Sequence, residues 1–76
     1  MVEFSYIEND GLPHRVTIDN RLHGAGQTKS DAIIAALSVG QMIPAELRGN
    51  KKAIAGFIFW NYEANPDWVE LILEGE

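Results

Sequence analysis

A chain of 76 residues with six Lys and Arg against eleven Asp and Glu carries a formal net charge of −5 and contains no cysteine. A domain this short buries only about 60% of the surface its unfolded chain exposes. With no disulfide and no Cys-ligated metal, its hydrophobic residues, 46% of the chain, must supply the drive to fold. The acid excess argues against direct binding of nucleic acid. No segment approaches the ~20 apolar residues of a membrane span, and Met1-Val2-Glu3-Phe4 does not begin a basic-then-apolar leader. A cytoplasmic protein without membrane contact is expected, and the absence of cysteine fits a reducing compartment.

Residues 2–7 alternate, with Val2, Phe4 and Tyr6 on one face and Glu3 and Ser5 on the other until Ile7 breaks the polar row; that period predicts a half-buried strand. Asn9-Asp10-Gly11 supplies a tight turn. Alternation then resumes, with Val16 and Ile18 against Arg15, Thr17 and Asp19, so the two runs read as a β-hairpin.

His23-Gly24-Ala25-Gly26-Gln27 reads as a glycine-bearing loop, followed by a helix at 29–39. Thr28 or Ser30 can cap it, Asp31 suits its positive end, Ile33, Ala36 and Leu37 form its stripe, and Gly40 offers a left-handed terminator. Pro44 to Arg48 can form one short turn closed by Gly49.

Ala53 to Tyr62 is a nearly continuous apolar run, and such a run does not reveal its period. As a helix it would be capped by Asn50, with Ile54, Phe57 and Ile58 on a stripe spoiled at Asn61. As a strand it has the aromatic enrichment of sheet, and a turn at Asn65-Pro66-Asp67 leads into a second alternation, Val69, Leu71 and Leu73 against Glu70 and Glu74. The strand is preferred. The expected fold is therefore one small α+β domain over residues 1–76, a single-layer antiparallel sheet in ββαββ order packed on one helix.

Sites with recognisable chemistry are scarce. His23 to Ser30 resembles a phosphate loop superficially, but a Walker-type loop needs glycine six residues and one residue before the lysine, where His23 and Thr28 stand. What survives is an anion-binding alternative at Lys29 and the helix N-terminus. His14 and His23 lack metal-ligand spacing, no serine has a nucleophile signature, and no paired carboxylates have an evident cleft. No catalytic residue, metal or cofactor is assigned, and the chain is expected not to be an enzyme.

The informative asymmetry is charge. Up to Lys52 acids and bases cancel; from Ala53 onward come Glu63, Asp67, Glu70, Glu74 and Glu76 with no Lys or Arg, together with five of the seven aromatics. Most of those apolar side chains are expected in the core. Trp60, Tyr62 and Trp68, flanked by Glu63, Asp67, Glu70 and Glu74, have the composition of interface anchors with an acidic rim. The expected function is a non-enzymatic acidic interaction protein that docks on a basic surface of a protein partner and regulates or inhibits it. The partner could belong to a nucleic-acid-handling complex, after the manner of inhibitors encoded by mobile elements. A homodimer or larger homo-oligomer, a structural or assembly subunit, is the alternative, since a strand at 53–62 apolar on both faces needs a second cover.

Overall fold

The computed structural model describes residues 2–6 and 13–74. Three strands come first, β1 (Phe4–Tyr6), β2 (His14–Ile18) and β3 (Leu22–Gly26). Three helices follow, α1 (Lys29–Val39), α2 (Lys51–Tyr62) and α3 (Pro66–Glu74), with a 3-10 turn at Ala45–Leu47 between the first two. The sheet is antiparallel in the order β1-β2-β3. The fold is α+β, as expected, but the ββαββ order is not observed. Every strand precedes every helix, and the sheet is covered by more than one helix.

The first pairing follows the alternation, with Phe4 opposite Ile18 and Tyr6 opposite Val16. The Asn9-Asp10-Gly11 turn and Ile7 lie outside the described residues. The second pairing corrects the loop expected at 23–27: His14 to Ile18 pair with Leu22 to Gly26. Asp19 and Asn20 make the turn with φ of 52° and 59°, the left-handed region that Asn and Asp tolerate best among residues with a Cβ. The Arg21 N–H closes it on the Ile18 carbonyl at 3.1 Å.

Strand parity places Gly24 and Gly26 on the same side as Val16 and Ile18, and α1 lies across that side. A Cβ on Gly24 would stand 2.3 Å from the Ala32 carbonyl oxygen and 2.3 Å from the Ala36 nitrogen. The two glycines are therefore absences of side chain that let a helix backbone touch a strand, with Ala32 and Ala36 completing the small-residue contact. Ile33 and Leu37, fully buried beside them, each contribute about 1.5–3 kcal/mol of transfer free energy.

Thr28 caps α1 as expected, its Oγ1 accepting from the Asp31 N–H at 3.1 Å. Gly40 is not its left-handed terminator: its φ is −78°, and the left-handed residue is Gln41 at 54°. The Leu22 side chain packs over Gly40, and a Cβ there, 2.3 Å from Leu22 Cδ1, would require that side chain to move.

The largest correction concerns the C-terminal third, where both expected strands are helices. Asn50 Oδ1 caps α2 by accepting from the Ala53 N–H at 3.1 Å, and Ile54, Ala55 and Ile58 form its buried stripe. Asn65-Pro66-Asp67 is not a hairpin turn but a helix start. Asn65 Oδ1 accepts from the Asp67 N–H at 2.8 Å, Pro66 occupies the first helical position, where a missing N–H costs nothing, and Asp67 faces the positive end of the dipole. The alternation Val69, Leu71, Leu73 is real, but with five of nine residues apolar the helical spacing Trp68, Ile72 is equally present, and Ile72 is the residue fully buried.

Cross-links then lock the helices together. The Ser30 hydroxyl, itself buried, donates to the Ile72 carbonyl at 3.1 Å, joining the start of α1 to the end of α3. Lys51 Nζ lies 3.7 Å from Asp31. Gly24→Ala should lower stability by about 3 kcal/mol, the upper range for overpacking, because the colliding atoms are backbone. Urea unfolding measures it; a loss under about 1 kcal/mol would mean α1 does not rest on this glycine.

Candidate functional site

The seven residues singled out from the sequence do not form one site. Trp68 is half-buried and packs on the sheet, its ring centroid 5.1 Å from Phe4 and 5.0 Å from Tyr6. Tyr62 is half-buried, 6.1 Å from Phe57, and lines a hollow with Val2, Leu22, Gly40 and Met42. Asp67, Glu70 and Glu74 recur at three- and four-residue spacing and are exposed on one face of α3. Glu74 sits at the far end of that face, in a cleft with His14, Thr28, Lys29 and Leu71.

Only Trp60 and Glu63 come together. Trp60 is 81% exposed, Phe59 beside it is 37% exposed, and their rings meet edge to face at 5.3 Å. With Glu63 and Ala64 they line an open hollow of about 360 Å³. The floor is firm, since Ala64 is 3% exposed and its N–H donates to the Ile58 carbonyl at 3.4 Å. Phe59 was expected in the core; it lies outside because a helix of this register turns Ile54 and Ile58 inward and Lys52, Gly56, Phe59, Trp60 and Glu63 outward. That helical spacing, applied to 53–62, is the signal by which the sequence could have revealed this face.

Two further features of the same face have no packing partner among the described residues. Glu63 ends α2 with φ 53° and ψ 41°, a conformation that costs a residue with a Cβ about 1–2 kcal/mol and that glycine adopts freely. Gly56 stands in the middle of the helix, where glycine costs about 1 kcal/mol against alanine, yet a Cβ there would meet no atom within 4 Å.

The expected anion site changes character. His23 to Gly26 is strand rather than loop, Gly24 and Gly26 face α1, and the first turn of α1 already holds the Thr28 cap and the Asp31 carboxylate. Nearby, Lys29 Nζ lies 4.9 Å from the Tyr6 ring centroid. The Tyr6 hydroxyl is buried without a hydrogen-bond partner among the described residues. Burial, and secondarily the Glu74 carboxylate, push its pKa above the ordinary 10.0. His14 and His23 have opposite strand parity, and His23 Nδ1 lies 3.1 Å from Thr17 Oγ1. Among the described residues no group of three or more His, Asp or Glu could hold a metal ion, and no helix is long and apolar enough to cross a membrane.

Comparison of the chain with protein-family models, with curated proteins and with solved structures finds no match. The residues alone therefore carry the functional argument.

In urea unfolding, Trp68→Ala should cost about 3 kcal/mol, Trp60→Ala should stay within about 0.5 kcal/mol of wild type, and Glu63→Gly should gain about 0.5–1 kcal/mol. The reverse ranking of the two tryptophans would place the free aromatic on the wrong helix. For Tyr6 the pH dependence has a definite sign. A folded-state pKa above the unfolded value leaves stability intact below about pH 10 and erodes it above, where the unfolded tyrosine ionises first. The stability of Tyr6→Phe relative to wild type should accordingly rise between pH 9.5 and about 11. A constant difference across that range would show a solvated hydroxyl.

Proposed function

We propose that this protein is a non-enzymatic docking module that engages a protein partner of basic surface through the outer face of α2, regulating or blocking that partner. The single observation that carries the proposal is Trp60, a large side chain left 81% exposed beside Phe59 and beside a carboxylate. Trp is the residue most enriched among the anchors of protein interfaces, and the neighbouring Phe59 extends the exposed aromatic surface. The partner's basic charge is supported by Glu63, which lines the same hollow, and by the exposed Asp67, Glu70 and Glu74 of the next helix, against the single Lys52 on the outer face of α2. A surface of Lys and Arg, including one that otherwise holds nucleic-acid phosphates, is their complement. The case for a second copy of the chain rested on a strand at 53–62 apolar on both faces; a helix with one buried stripe does not need that cover.

The test compares retention and kinetics of whatever protein the wild type retains from its native host. Trp60→Ala should speed dissociation at least about 30-fold, the equivalent of a 2 kcal/mol hot spot. Glu63→Lys with Glu70→Lys should slow association and flatten its salt dependence. Arg15→Glu, on the opposite side of the sheet, should change neither step. Retention unaffected by Trp60→Ala but abolished by Arg15→Glu would move the docking face to the sheet. A stable dimer at micromolar concentration that Trp60→Ala dissociates would replace the partner with a second copy.

A further inference from the structure

We propose that the hollow formed by Phe59, Trp60, Glu63 and Ala64 is a receptor for a single arginine side chain. The inference rests on the docking proposal for the same face and specifies what enters it. The four lining residues offer an apolar floor, two aromatic rings and one carboxylate, and none is a cation. An indole presents the strongest π-face for a cation, and a carboxylate beside it neutralises the charge that the ring attracts. Guanidinium satisfies both at once: it is planar, stacks on aromatic rings, sheds water more readily than ammonium, and presents paired N–H donors to carboxylate oxygens.

The backbone supplies an independent observation. Glu63 holds a left-handed conformation, φ 53°, at a helix end where glycine is the unstrained choice. Gln41 follows α1 in the same left-handed region, φ 54°; at Glu63 the left-handed position coincides with the aromatic hollow. The Glu63 side chain has no packing task, since it is exposed, and Glu63 is the one ionisable residue among the four that line the hollow. Gly56, one turn before Trp60, leaves open space where a Cβ would stand, room for the chain bearing the arginine to approach the helix.

The hollow can be tested with small probes and the full chain, before any partner is known. N-acetyl-arginine methylamide, its lysine counterpart and its neutral citrulline counterpart are titrated into isotope-labelled protein while the two indole N–H signals are followed. Trp68, packed on Phe4 and Tyr6, is the internal control. The arginine probe should shift the Trp60 signal saturably at millimolar concentration and leave Trp68 in place, and lysine and citrulline should each bind at least fivefold more weakly. Glu63→Gly, which relieves backbone strain and so keeps the fold, should weaken the arginine probe at least tenfold. Absence of a saturable Trp60 shift, equal binding of citrulline, or full binding by Glu63→Gly each overturns the proposal. If the probe fails while Trp60→Ala still releases the partner, the arginine receptor is wrong and the docking face stands. If the probe binds while Trp60→Ala leaves the partner untouched, the docking face is wrong and the hollow serves something else.

Discussion

The structure depends on one contact without side chains, the approach of the α1 backbone to β3 at Gly24. A helix normally rests on a sheet at a distance set by the side chains between them. Here Gly24 and Gly26 remove those of the strand, and Ala32 and Ala36 reduce those of the helix, so α1 lies close against the sheet. Its depth fixes the level of everything stacked on it. The buried Ser30 hydroxyl reaches the Ile72 carbonyl only because the start of α1 sits where it does, and Lys51 reaches Asp31 from the start of α2. In a chain of 76 residues, with stability on the order of 4–11 kcal/mol, a shift of this one helix would loosen both connections together.

The consequence for function is geometric. The sheet, α1 and α3 close around Ile18, Ile33, Leu37 and Ile72, and α2 joins that core through the buried stripe of Ile54, Ala55 and Ile58, with Phe57 and Tyr62 half-buried against it. Its opposite stripe is left to solvent. On a merely solvated helix face, Lys, Glu, Gln and Ala are the residues that stabilise. Beside Lys52, this face carries Gly56, Phe59, Trp60 and a left-handed Glu63. Gly56 and Glu63 each cost about 1 kcal/mol, and they gather on the two turns that also hold the exposed tryptophan. In the proposed docking these local choices belong to the surface that meets the partner.

How much of this was legible in the residues differs by element, for physical reasons. Val2 to Tyr6 and Val16 to Ile18 show a clean period of two, and α1 shows its Thr28 cap, its Asp31 and its apolar stripe, so these were read directly. β3 was missed because glycine suggests a loop when its reason is conformational freedom, whereas Gly24 is there for room. Asp19-Asn20, two residues suited to the left-handed region between Ile18 and Leu22, was the overlooked hairpin signal. The C-terminal helices were missed because dense apolar sequence satisfies both periods; the arbiters were the caps. Asn50 and Asn65-Pro66-Asp67 are helix starts, and neither is needed by a strand. The site divided along the same line. Trp60, Trp68 and Tyr62 are near in sequence and alike in chemistry, but the helical period sends Trp60 outward, while Trp68 meets Phe4 and Tyr62 meets Phe57.

The charge of the acidic end takes on a narrower meaning in three dimensions. Asp67, Glu70 and Glu74 share one face of α3 and span seven residues, or about 10 Å at 1.5 Å per residue. Duplex DNA carries about six phosphates over that length, so three carboxylates cannot stand in for a nucleic-acid backbone by density alone, and Glu74 shares its cleft with Lys29 and His14. At physiological salt, charges farther apart than about 8 Å are largely screened from one another. In the proposed docking the exposed acids of α3 would act chiefly on approach, where a weak field accumulated over several groups steers a basic surface toward the chain. Discrimination has to come from a place where a cation is desolvated against fixed groups, and among the described residues the hollow of Phe59, Trp60, Glu63 and Ala64 unites exposed aromatic rings, a buried floor and a carboxylate.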